Sequence, residues 1–140
     1  VSGDAVMEGT VRSFDRDIHH SLPERIKRIA ADTASAYRCT VDVEYDMLTE
    51  VLMNDPEATQ YMYAAARQVA LDPRLVIKAP KIMGGEDFAD YTPFVKAGFV
   101  FLGGGGEHPQ HSDYFFVEEE SFKTGVAYTI QLAYNYLNEA

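Results

Sequence analysis

"GFVFLGGGGEHPQHSDYFF", residues 98–116, decides how the rest of the chain is read. Its first six residues are a continuous apolar run bounded by glycines, the expected look of a buried strand. The run leads into four glycines, 103 to 106, and then into two histidines three residues apart, His108 and His111. Loops at the carboxyl ends of strands are where open α/β sheets place their ligands. Taken alone, the stretch fits either a flexible linker with incidental histidines or a backbone shaped to hold one imidazole.

Working outward, "AVMEGTVRSF" carries Val6, Val11 and Phe14 around a glycine and predicts a strand that ends near Asp15. In "SLPERIKRIAADTASAYR", Ser21 and Glu24 have the spacing of a capping box and Pro23 suits a first turn. Leu22, Ile26, Ile29, Ala30, Thr33 and Tyr37 share one helical stripe, so an amphipathic helix is expected. "TVDVEY" alternates Val41, Val43 and Tyr45 with Asp42 and Glu44, the period of a strand with one wet face. Asp55 can cap, and Pro56 can open, a second helix running to about Leu71. "RLVIKAP" reads as a short strand closed by Pro80, and "GGEDFADY" as one or two helical turns before Pro93. Phe122, Val126, Ile130, Ala133 and Leu137 line one face of a terminal packing helix, with Glu118 to Glu120 at its positive end. The order of these elements predicts a layered α/β fold containing parts of two subdomains.

The chain has 140 residues, enough for one domain with a core of its own. Twelve lysines and arginines face 22 aspartates and glutamates, a formal charge of -10 that argues against nucleic acid as a partner. The single cysteine, Cys39, cannot form an internal disulfide, and no apolar run approaches the roughly 20 residues of a membrane helix. A soluble, cytoplasmic protein without a membrane partner is the expectation. The chain begins at Val1 rather than at a methionine and enters a strand-like stretch almost at once, so an upstream segment is also expected.

His108 and His111 supply half of a tetrahedral zinc site at most. His108, before Pro109, reads as a solvent-facing loop residue, and the place of His111 in a loop at a strand end makes it a candidate for a site. In "MGGEDF", residues 83–88, the glycines permit close backbone approach and positive φ, and amides at the following helix start could face an anion. Glu86 and Asp87 read equally well as helix-capping acids. Asp15, Asp17, His19 and His20 read as a solvated turn, and Cys39 as a small apolar residue rather than a nucleophile. There is no G-x-S-x-G elbow and no phosphate loop, so acyl-serine chemistry and nucleotide hydrolysis lose support.

Taken in order, "GTVRSFD", "NDPEAT", "MGGEDFADY", "FVFLGGG" and "HSDYFFVEEESFKTG" resemble the carboxyl-terminal part of the metal-dependent amidohydrolases of the aminoacylase and carboxypeptidase family. Within it the branch of hippurate hydrolases, N-acyl-amino-acid amidohydrolases and auxin-conjugate hydrolases looks most similar. The resemblance implies that residues 1–46 are the C-terminal half of a βαββαβ lid or dimerisation domain. Residues 47–140 would be the C-terminal part of an αβα catalytic domain like that of zinc aminopeptidases. It implies two zinc or manganese ions in the parent enzyme, an N-acyl amino acid or small peptide as substrate, and a homodimer formed through the lid. His111 matches the family's last metal ligand, with Phe115, Glu118 and Gly125 at fitting intervals after it. Gly84, Gly85, Glu86 and Asp87 match a loop bordering the active site. The chain departs from the family where "HSDYFF" replaces an Asn-Pro or Ser-Pro after the histidine and where Phe116 replaces an aspartate. The other ligands and the glutamate that serves as general base match nothing in these 140 residues. The implied fragment therefore has no catalytic residue of its own and is inactive alone. The alternative is a non-catalytic binding or dimerisation module of the same fold.

Overall fold

The computed structural model describes residues 3–139, with the side chain of Glu139 outside the description. Its regular elements are α1 (Arg16–Ala36), α2 (Pro56–Val69), α3 (Glu119–Glu139) and two 3-10 turns, Pro73–Leu75 and Asp87–Tyr91. No strand or sheet occurs among the described residues, which overturns the α/β class, the βαββαβ lid and the αβα catalytic layer. The stretches expected as strands lack the ladder that defines a sheet. Phe99 shows why: its N–H donates to Asn54 Oδ1 at 2.9 Å and its carbonyl accepts from Asn54 Nδ2 at 2.9 Å. One amide side chain thus fills the place that a neighbouring strand's backbone would take. Period-two patterning marks which face a strand would bury, but a strand also needs a partner at ladder distance.

The chain divides into two compact units, Val1–Leu52 with Lys81–Asp90, and Met53–Pro80 with Tyr91–Ala140. In the first, α1 starts earlier than its capping-box pattern suggests. Asp15 is the N-cap and its carboxylate accepts from the Ile18 N–H at 2.9 Å, so Pro23 falls inside the helix. The residues read as a solvated turn therefore form its opening turns. His19 is buried, its Nε2 lying 3.1 Å from the Thr49 carbonyl. His20 Nε2 lies 3.1 Å from Glu50 Oε1, and Arg16 Nε 3.6 Å from Glu50 Oε2. The Glu50 N–H in turn donates to Asp90 at 2.9 Å. These polar contacts hold residues 49–50 against α1 beside buried Val51 and Ala89. The helix ends in a Schellman arrangement: Arg38 takes φ 58°, Arg38 N–H donates to Ser35 O and Cys39 N–H to Ala34 O.

The second unit is built on the packing of α2 against α3. α2 begins where its sequence says, with Asp55 accepting from the Ala58 N–H at 2.9 Å and Pro56 in the first turn. Met62 and Ala65 are its buried residues. α3 is a helix as expected, but its packing face is not the apolar stripe. Phe122, Val126, Ile130 and Leu137 are all more than half exposed, whereas Asn135 is buried. Asn135 Nδ2 donates to Gln68 Oε1 on α2 at 2.9 Å, and its Oδ1 accepts from Gln131 at 2.8 Å. A satisfied amide network can hold two helices in register, because breaking it would strand buried polar groups. The uncovered stripe lines an open groove of about 570 Å³ with Leu102 and Gly125. No described helix is long and apolar enough to cross a membrane.

Candidate functional site

Four glycines carry the chain from Leu102 to the histidine loop, and two of them are conformationally required. Gly105 and Gly106 take φ of 69° and 77°, the left-handed region in which a β-carbon is strained. Past them, the Ser112 N–H donates to the Pro109 carbonyl at 3.2 Å and closes a turn. His111 is the third residue of that turn and has φ 67°, a place that glycine or asparagine usually takes. A second turn follows, Phe115 N–H donating to Ser112 O at 3.0 Å, with the Tyr114 N–H on Ser112 Oγ. His111 is exposed, and among the described residues its ring has no hydrogen-bond partner. His108 instead rests against Tyr114, with ring centroids 5.5 Å apart.

Gly84, Gly85, Glu86 and Asp87 lie in the other compact unit from His111. Gly84 and Gly85 do not use the positive φ open to them; Gly105 and Gly106 are the glycines that do, among the described residues. Glu86 Oε1 accepts from the Phe88 N–H at 3.2 Å and the Glu86 carbonyl from the Ala89 N–H at 3.0 Å, while Asp87 opens the short 3-10 turn. His19 and His20, expected in a solvated turn, instead join Arg16 in a polar group around residues 49–50, and Glu50 was the member that the sequence did not reveal. A histidine pair just after a capping aspartate was the group's available signal.

A tetrahedral zinc needs about four ligands. Among the described residues no group of three or more histidine, cysteine, aspartate or glutamate side chains could hold a metal ion. His111 thus has the uncommitted ring of a ligand, but the residues present do not make a metal site by themselves.

Comparison with known proteins supplies the wider setting. Residues 3–135 match the profile of peptidase family M20/M25/M40, and the chain belongs to that family. Its relatives include the IAA-amino acid hydrolase ILR1-like 6 of Arabidopsis thaliana, 28% identical over 96% of this chain and 31% of that protein. The N-acetylcysteine deacetylase of Bacillus subtilis is 30% identical over 92% of this chain and 33% of its own length. Thermostable carboxypeptidase 2 of Saccharolobus solfataricus is 26% identical over 99% and 36%. The chain spans about a third of the length of these relatives. Enzymes of this family are hydrolases that generally use divalent metal ions. No solved structure matches the chain significantly.

Proposed function

We propose that this chain is the C-terminal part of a metal-dependent amidohydrolase that cleaves the amide bond between an acyl group and an amino acid. The observation that carries the reading is His111. Its backbone is held in a left-handed turn, and its imidazole is exposed and has no hydrogen-bond partner among the described residues. Strained residues at positions their surroundings over-determine cluster at functional sites. The names of two relatives, an N-acetylcysteine deacetylase and an IAA-amino acid hydrolase, support the substrate class.

In this reading residues 47–140 belong to the catalytic part and residues 1–46 to a lid or dimerisation part, and the enzyme is a cytoplasmic homodimer. His111 supplies one ligand to a zinc or manganese centre. Gly84, Gly85, Glu86 and Asp87 border the substrate pocket. The remaining ligands and the proton-transferring carboxylate belong to the rest of the enzyme. These 140 residues alone hydrolyse nothing. The complete enzyme, assayed with N-acetyl amino acids, should release free amino acid and lose that activity to a chelator. Turnover by the 140-residue chain alone, or chelator-resistant turnover by the complete enzyme, would refute the reading.

A further inference from the structure

The histidine loop, residues 107–117, is closed at its base by one residue, through its backbone and its side chain. Glu118 stands immediately before α3, and its N–H donates to the Gly104 carbonyl at 2.8 Å. Its carboxylate turns back toward the glycines, where Oε1 accepts from the Gly106 N–H at 3.3 Å. The two bonds reach residues on either side of Gly105. The space between is filled: a β-carbon on Gly105 would stand 2.4 Å from Glu118 Cδ and 2.7 Å from its Cγ. Val117 adds to the seal, since a β-carbon on Gly104 would meet its Cγ1 at 3.4 Å.

A carboxylate just before a helix ordinarily caps it, accepting from amides of the first turn. Glu118 does that work with its backbone instead, its carbonyl accepting from the Ser121 N–H at 3.0 Å. Its side chain is spent on the loop.

We infer that Glu118 is a positioning residue: it latches the two ends of the loop together and so fixes the left-handed turn that presents His111. The latch explains why position 105 carries no side chain, because a β-carbon there would displace the carboxylate. It works as a hydrogen-bond acceptor, so an amide of the same shape should replace it. Its relevance to catalysis rests on the functional reading above, but its mechanical part does not.

The test is hydrogen–deuterium exchange on the complete protein, read on peptides covering residues 103–117 and on α2 as an internal reference. Glu118→Leu, which keeps bulk and removes the acceptor, should speed exchange in the loop about tenfold while α2 is unchanged. Glu118→Gln should stay within twofold of the parent protein. In the hydrolysis assay Glu118→Leu should lower kcat more than it changes KM, with Glu118→Gln restoring it. The inference is overturned if Leu leaves loop exchange unaltered, if Gln and Leu behave alike, or if α2 loses protection together with the loop. A parent protein without hydrolytic activity would sink the functional reading and leave the exchange result to judge the latch.

Discussion

A β-carbon on Gly98 would stand 2.2 Å from Met62 Sδ, so the glycine's missing side chain is the space in which a core methionine of α2 lies. Gly98 is also the first residue of the apolar run, and the Ala97 carbonyl beside it accepts from the Asp55 N–H at 2.8 Å. The run is thus pinned at the start of α2 by this hydrogen bond and the two between Asn54 and Phe99, and to α2 itself by one close steric contact. Gly98→Ala should lower unfolding stability by about 1–3 kcal/mol, the usual cost of overpacking. The flexible thioether sets the lower end, because it can move at some expense. Met62→Ala alone should cost about 2–5 kcal/mol. In the double variant the Gly98→Ala penalty should vanish, and urea unfolding of the four proteins measures that coupling. Additive effects would mean that the two residues do not meet.

Arg38 is a non-glycine residue in the place of a Schellman motif where glycine is usual. Arg38→Gly should stabilise the protein by about 0.5–1 kcal/mol, the left-handed strain relieved less the extra chain entropy of glycine. Thermal unfolding reads this as an upward Tm shift. An unchanged or lower Tm would show that the arginine side chain earns its place by contacts of its own.

How much of this was legible in the sequence depends on how local each signal is. The start of α2 was readable because a capping aspartate followed by proline acts within one turn, and Asp55 and Pro56 do so here. The start of α1 was misplaced because two signals competed. Asp15 caps from six residues before Ser21, and Pro23 is accommodated within the helix while Ser21 Oγ donates to the Ile18 carbonyl at 2.8 Å. The period of α3 was correct and its buried face was not, since the face was selected by Gln68, a residue 67 positions from Asn135. Strands failed for the same reason: alternation is local and pairing is not. In the candidate site, the glycine-rich approach to His111 was visible, whereas the positive φ of His111 was hidden behind a residue type that seldom adopts it.

Tyr128 is partly buried, and this burial pushes its phenol above the ordinary 10.0; among the described residues its hydroxyl has no hydrogen-bond partner. A raised folded-state value means that the native protein holds its proton longer than the unfolded chain. This contribution is fully present below pH 10.0 and is lost as the pH rises through the raised value. Tyr128→Phe should therefore gain about 1 kcal/mol at neutral pH, by removing an unpaired polar group, and should flatten the alkaline loss of stability. Unfolding curves from neutral to strongly alkaline pH test both parts. A steeper alkaline loss in the variant would show that the phenolate is favoured in the fold.

Asp72 accepts from Arg74 Nε at 2.9 Å and Nη2 at 2.7 Å, and this hydrogen bonding holds its carboxyl below the ordinary 3.8. The sign is opposite to that of Tyr128. Whatever stability the pair contributes is present above pH 3.8 and is lost as the pH falls through the lowered value. Both groups face water, where such pairs contribute little, so the observable is the titration itself. Carboxyl carbon chemical shifts should place Asp72 below 3.8 in the parent protein and move it part of the way back toward 3.8 in Arg74→Gln, which keeps the residue 74 N–H on Asp72 Oδ1. A titration unaffected by losing the guanidinium would remove the pair as the cause.

His111 combines two properties that substitution can separate, a left-handed backbone and an uncommitted imidazole. His111→Gly removes both the strain and the ring. His111→Asn keeps a residue type that tolerates positive φ and also removes the ring. If the residue matters only as the corner of a turn, both variants should fold at least as well as the parent and keep full activity in the complete enzyme. If it matters as a ligand, both should fold at least as well as the parent, with glycine more stable by about 0.5–1 kcal/mol, and both should lose hydrolysis by at least about a hundredfold. The second pattern is the one expected. Stability that rises while activity collapses is what separates a residue strained for function from one that is merely strained, because relieving structural strain alone costs no turnover.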